Sequence, residues 1–195
     1  MIHQYYTETH RYYHTLSHIN QLLAIASSFE SSMMDHHAVY LSIYFHDIIY
    51  NPKSSTNEED SAIIFEQLFS TYIDRSLIDK VKMYILETKK HDVIDSNDKD
   101  LQFFIDFDMS VLGRCREEYV EYAAQIRQEY QHVEHEAYCK GRSKILRDFL
   151  QQTSSIFATI ELKDLYEEAA RANVSWECEI LEAGTIPIPL VNRAI

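Results

Sequence analysis

Three glycines and three prolines are spread over 195 residues. A sheet protein of that length needs many tight turns, and tight turns draw heavily on both residues. Their scarcity leaves long helices with short connections, so the expected fold is all-α, a single compact bundle of about seven to nine helices. Hydrophobic residues, at 46%, are enough for one core, whereas two full domains would be cramped. No repeat, low-complexity stretch or linker interrupts the pattern. One domain is therefore expected over residues 1–195, with its core at about 6–181. Residues 184–195, which include Pro187 and Pro189, form an extended apolar tail.

Apolar spacing places the helices. A first covers about Glu8 to Ser28 and a second about Asp35 to Tyr50, where Asn51-Pro52 stops it. Thr56 with Glu59 fits a capping box opening a third. Ser76 with Asp79 opens a fourth that ends near Lys90-His91, and Ser96-Asn97-Asp98 introduces a fifth reaching Leu112-Gly113. A long amphipathic helix runs from Glu117 to about Lys140, where Gly141 breaks or kinks it, and a last one spans about Glu161 to Leu181.

A formal charge of −13 argues against binding a nucleic-acid duplex, which requires a basic footprint. Cys115, Cys139 and Cys178 are odd in number and far apart, so neither a disulfide framework nor a cysteine zinc site is expected. No segment reaches the ~18 apolar residues of a membrane span, and the first residues lack a signal-peptide layout. A cytoplasmic location is the resulting expectation. The apolar tail and fourteen tyrosines are compatible with a homodimer.

The chemistry starts in the second helix. Ala-Val-Tyr-Leu-Ser-Ile-Tyr-Phe-His-Asp-Ile-Ile-Tyr, residues 38–50, is apolar on nearly every face, yet it holds His46 and Asp47. A buried carboxylate is costly unless paired or bound to metal. Neighbours on a helix point about 100° apart, so both side chains can reach one ion beside that turn. A buried His–Asp hydrogen-bonded pair is the competing account. Asp106 and Asp108 repeat the oddity inside Phe103–Leu112; they point about 200° apart, so at most one faces the same ion. His10, His14 and His18 recur every four residues, a stripe that either grips a metal or is simply exposed. Histidine with aspartate suits Zn, Mn, Fe or Mg.

The order His14, His46-Asp47, Asp108 resembles the HD-domain superfamily of metal-dependent phosphohydrolases. Arg-Tyr-Tyr-His-Thr-Leu-Ser-His-Ile from Arg11, Tyr-Phe-His-Asp-Ile-Ile-Tyr-Asn-Pro from Tyr44, Asn-Glu-Glu-Asp-Ser-Ala from Asn57 and Thr-Lys-Lys-His from Thr88 look like one subfamily. So do the stretch Phe104 to Gly113, Ile-Arg-Gln-Glu-Tyr from Ile126, and Gly141-Arg142. That subfamily is described as predicted metal-dependent HD phosphohydrolases. The resemblance runs from about Tyr6 to Leu181, and the joint order of the blocks is more specific than any one of them.

What the resemblance implies is a helical HD-type domain in which His14, His46, Asp47 and Asp108 ligate one divalent ion per chain (Mn, Zn, Fe, Mg or Co). Asp106 is the reserve for Asp108. Two open positions would take water or substrate, and Asp47 would also orient the water. The implied reaction is cleavage of a phosphomonoester or phosphodiester, with nucleotides the commonest substrates of the superfamily. Arg11, His18 and Lys89 are candidate substrate contacts, with His18 alternatively supporting the ligands from behind. Arg11, Asp47, Glu58 and His91 are candidate catalytic groups. Glu58 aligns with a histidine that binds a second ion in two-metal relatives; it also reads as a carboxylate at a helix N-terminus. His91 reads as a general acid, a partner of a ligand, or a helix C-terminal cap. Arg127 and Arg142 read equally as structural ion-pair partners. His36, His37, His132 and His135 read as surface residues. The main alternative function is a catalytically weak sensor that binds metal or nucleotide. A purely structural helical protein leaves His46-Asp47 and Asp108 unexplained.

Overall fold

In the computed structural model, which describes residues 2–91, 93–94 and 96–189, every regular element is helical. Among these residues there are nine α-helices and two short 3-10 turns. The chain divides into two units, 1–108 and 109–195, where the sequence reads as one domain.

The first unit contains α1 (Ile2–Tyr5), α2 (Leu16–Ser28), α3 (His36–Phe45), α4 (Asn57–Phe69), α5 (Arg75–Glu87) and α6 (Lys99–Met109). α3 packs against α2, α4 and α5, in keeping with its largely buried apolar surface. Ile19, Leu22, Val39, Ile43, Phe65, Val81, Tyr84, Phe103, Phe104 and Phe107 form the core. α6 is fastened at its start by Asp98, whose Oδ1 accepts from the backbone N–H groups of Asp100 and Leu101. The carboxylate of Asp100, only 3% exposed, accepts from Met34 N and Asp35 N at 2.8 Å each. That clamp ties the entrance of α3 to the first turn of α6.

Two helices end differently from the sequence expectation, and both differences matter. Residues 6–15 are not helical; α2 begins after Thr15, whose Oγ1 accepts from Ser17 N. The histidine stripe is therefore broken, with His10 and His14 on an irregular segment and only His18 on the helix. α3 stops at Phe45, five residues before Tyr50, so His46 and Asp47 lie in the turn that follows it. Ile49 N, which would bond Phe45 O in a continued helix, donates instead to Ser61 Oγ (3.1 Å). Buried Arg11 holds the turn beyond, its Nη1 donating to Asp47 O (2.7 Å) and its Nη2 to Ile48 O (3.0 Å). The capping box is also absent: Thr56 Oγ1 donates to Asp60 Oδ2, and no side chain caps α4.

The second unit holds a 3-10 turn (Ser110–Gly113), α7 (Arg116–Glu129), α8 (His135–Gln152) and α9 (Ile160–Glu182). α9 packs along α8 and against the 110–113 turn. Gly113 allows that second approach: a Cβ there would lie 2.4 Å from the Cβ of Tyr166. The long helix expected from Glu117 to Lys140 is two helices. Arg127 donates to Tyr130 O (2.6 Å) and Val133 O (3.1 Å), stabilising the intervening turn. Gly141, read as the breaker, sits inside α8. Arg142 and Tyr119 both bond the fully buried Glu177, the structural ion pair that the sequence allowed for Arg142. Residues 185–189 form no regular structure, and the rest of the expected tail lies outside the described residues.

Candidate metal centre

Four side chains from three separate stretches of the first unit converge. His18 comes from the first turn of α2, His46 and Asp47 from the turn after α3, and Asp108 from the last turn of α6. His18 Nε2 and His46 Nε2 are 3.3 Å apart. Asp47 Oδ2 lies 3.0 Å from His46 Nε2 and 3.9 Å from His18 Nε2. Asp108 Oδ1 lies 3.1 Å from His18 Nε2 and 3.6 Å from His46 Nε2. Ligand atoms of His18, His46 and Asp47 all fall within 4.8 Å of one another, a spacing that could hold a metal ion.

The donor set fits such an ion. Imidazole nitrogen and carboxylate oxygen together suit borderline-to-hard divalent cations. Both carboxylates are paired with histidines, which can give up a proton and accept an ion in its place. His46 Nδ1 lies 3.0 Å from Ile43 O, the outer hydrogen bond that fixes the ring and aims Nε2 at the group. His18 lacks that support, since its buried Nδ1 has no hydrogen-bond partner among the described residues.

Electrostatics separate the two histidines. Burial pulls His18 below its ordinary value, with the Asp108 hydrogen bond opposing. Burial acts the same way on His46 but is outweighed by Asp47 and Asp108, which push it well above 6.5. Burial would raise both carboxyls. Instead His46 and His14 hold Asp47 low, and hydrogen bonds from His18, His46 and His91 hold Asp108 well below its ordinary value.

No family model, curated protein or solved structure matches the chain. The site therefore has to be read from its own geometry.

Of the four ligands implied by the resemblance, the structure brings together His46, Asp47 and Asp108. His18 stands where His14 was expected. His14 lies at the edge, its Nε2 4.0 Å from Asp47 Oδ2 and its ring stacked on Tyr50 with centroids 4.1 Å apart. The carboxylate that meets His18 and His46 is that of Asp108; Asp106, 1% exposed, is buried with interactions of its own.

Arg11 departs from its expected role at the substrate. Its side chain is fully buried, and besides the two carbonyls above it donates to His14 O and to Glu8 Oε2. It shapes the turn that carries His46 and Asp47. Lys89 donates to Ser55 O (2.6 Å) and Glu59 Oε1 (2.5 Å), bracing the loop before α4. Glu58, in the first turn of α4, lies 3.6 Å from Lys89 Nζ. His91 Nε2 is 3.0 Å from Asp108 Oδ2, making it a partner of the group rather than a member.

His18 is the residue whose part in the group the sequence reading understated, although a signal for it was present. Thr15 is a good N-cap residue followed at once by the apolar spacing Leu16, Ile19, Leu22 and Leu23. Starting the helix there puts His18 on its first turn beside Ile19 and leaves His14 outside.

Proposed function

We propose that this chain is a metal-dependent phosphohydrolase of the HD type, with His18, His46, Asp47 and Asp108 as the four protein ligands of one divalent ion. The observation that carries the reading is the convergence of two imidazole Nε2 atoms and two carboxylate oxygens from three stretches of chain. The order of the sequence blocks that resemble HD phosphohydrolases supports the same class. Bound there, the ion would supply an activated water and a Lewis acid for the phosphoryl oxygen.

The chain's own groups then divide the remaining work. Asp47 is partly exposed, at 19%, so it can orient an attacking water while keeping its contact with His46. His14, beside Asp47 and steadied by Tyr50, is placed to give a proton to the departing oxygen. Arg11 keeps the 46–48 turn in shape through backbone carbonyls and leaves substrate contact to other groups. The substrate class this supports is a small phosphomonoester or phosphodiester, with nucleotides the first to try.

A phosphoester panel assayed with Mn or Co tests the reading, alongside elemental analysis and the variants His46→Ala and Asp47→Ala. The expected result is one ion per chain and hydrolysis of at least one ester by wild type, with both variants inactive. A protein that cannot be loaded with metal, or variants as active as wild type, would overturn it.

A further inference from the structure

His91 is the one described non-glycine residue with a left-handed backbone, at φ 53°. That region is sterically unfavourable for a residue with a Cβ, and glycine or asparagine usually fills it where a helix ends. α5 winds down through this point: Lys90 N and His91 N both donate to Glu87 O. A glycine at position 91 would end the helix with less strain. The chain instead carries an imidazole there, and its Nε2 reaches Asp108 Oδ2 at 3.0 Å. Asp108 turns its other oxygen, Oδ1, to His18 at 3.1 Å and His46 at 3.6 Å.

We propose that His91 is a positioning residue, whose strained backbone is retained because it brings the imidazole to Asp108 and fixes which carboxylate oxygen faces His18 and His46. Strain persists at functional sites where the surrounding structure enforces it. Outer partners that orient a ligand commonly govern affinity for the ion. The proposal rests on the metal reading for its consequence, and on the His91–Asp108 contact alone for its geometry. His91 acts through Asp108.

The test uses the full chain with two substitutions, His91→Asn and His91→Gly. Both relieve the backbone, and neither side chain reaches Asp108. Three quantities are measured: the melting temperature of the metal-free protein, Mn affinity by chelator competition, and the imidazole 15N shifts of His18 and His46 without metal. Both variants should still melt cooperatively, bind Mn about 10- to 100-fold more weakly, and show displaced 15N shifts. Mn affinity within twofold of wild type would reduce His91 to a helix cap and overturn the proposal. If wild type binds no Mn, the metal reading fails by itself. Unchanged 15N shifts would then overturn the positioning role, and displaced shifts would uphold it.

Discussion

His18 Nε2 faces His46 Nε2 across 3.3 Å, and the surroundings of the two rings pull them in opposite directions. Burial draws His18 below its ordinary value, while Asp47 and Asp108 overcome the same burial at His46 and push it above. Both Nε2 atoms lie against carboxylate oxygens, so an ion taken up there would replace the protons that the rings share with Asp47 and Asp108. In the proposed centre His18 is a ligand and His14 stands beside it. His18→Ala is expected to abolish stoichiometric metal, whereas His14→Gln should retain about one ion per chain and lose turnover instead. Elemental analysis of the two purified variants checks this. Retained metal in His18→Ala, with metal lost in His14→Gln, would restore the ligand set implied by the sequence resemblance.

Helical content, the buried character of α3 and three of the residues that meet at the candidate site, His46, Asp47 and Asp108, were all legible in the sequence. Each depends on residue type and apolar spacing within one segment. What was not legible depends on long-range backbone capture. Nothing local in Tyr44–Pro52 says that the helix ends at Phe45, because the turn that follows is held by Ser61 and by Arg11, more than thirty residues before it. Likewise, Arg127 bonds two carbonyls in a stretch whose apolar spacing runs on as one helix. His14 was implied as a ligand by the resemblance and not by spacing. With the first helix drawn from Glu8, both histidines share one face, and their spacing cannot choose between them.

Arg11 should matter to stability more than to substrate affinity. Its guanidinium serves the carbonyls of His14, Asp47 and Ile48, and removing it leaves buried acceptors without donors. Arg11→Ala is expected to cost roughly 3 kcal/mol in urea unfolding, with Arg11→Lys recovering only part because the planar fork is lost. In variants that remain folded, kcat should fall as the 46–48 turn loosens. A large rise in KM at unchanged stability would instead place Arg11 at the substrate.

Two glycines of the second unit, Gly113 and Gly141, should respond in opposite directions to the same change. At Gly113 an added Cβ meets Tyr166 Cβ at 2.4 Å and Tyr166 O at 2.8 Å, so α9 must shift to admit it. Gly113→Ala should therefore destabilise by about 1–3 kcal/mol. Gly141 lies inside α8, and an added Cβ meets nothing within 4 Å. Gly141→Ala should stabilise by roughly 0.5–1 kcal/mol through helix propensity and a less free unfolded chain. Thermal melts of the two variants decide both. A neutral Gly113→Ala would mean that the turn and α9 can separate at no cost.

Glu167 gives the fold a pH dependence whose sign can be worked out. Its carboxylate accepts from Ile156 N, Phe157 N and Arg171 Nε, holding the 153–157 loop against α9. Burial would raise its pKa, but these donors outweigh it and bring the group below 4.5. A carboxyl lowered on folding contributes stability that is fully present above its unfolded value and is lost as pH falls through the folded one. Wild type should accordingly exceed Glu167→Gln by about 1–2 kcal/mol near neutrality. The difference should begin to shrink near pH 4.5, the ordinary value of the group, and close at lower pH. Chemical unfolding of both proteins between neutral and strongly acidic pH checks this. A gap that stays constant across the acid range would show that the carboxylate charge does not hold the loop.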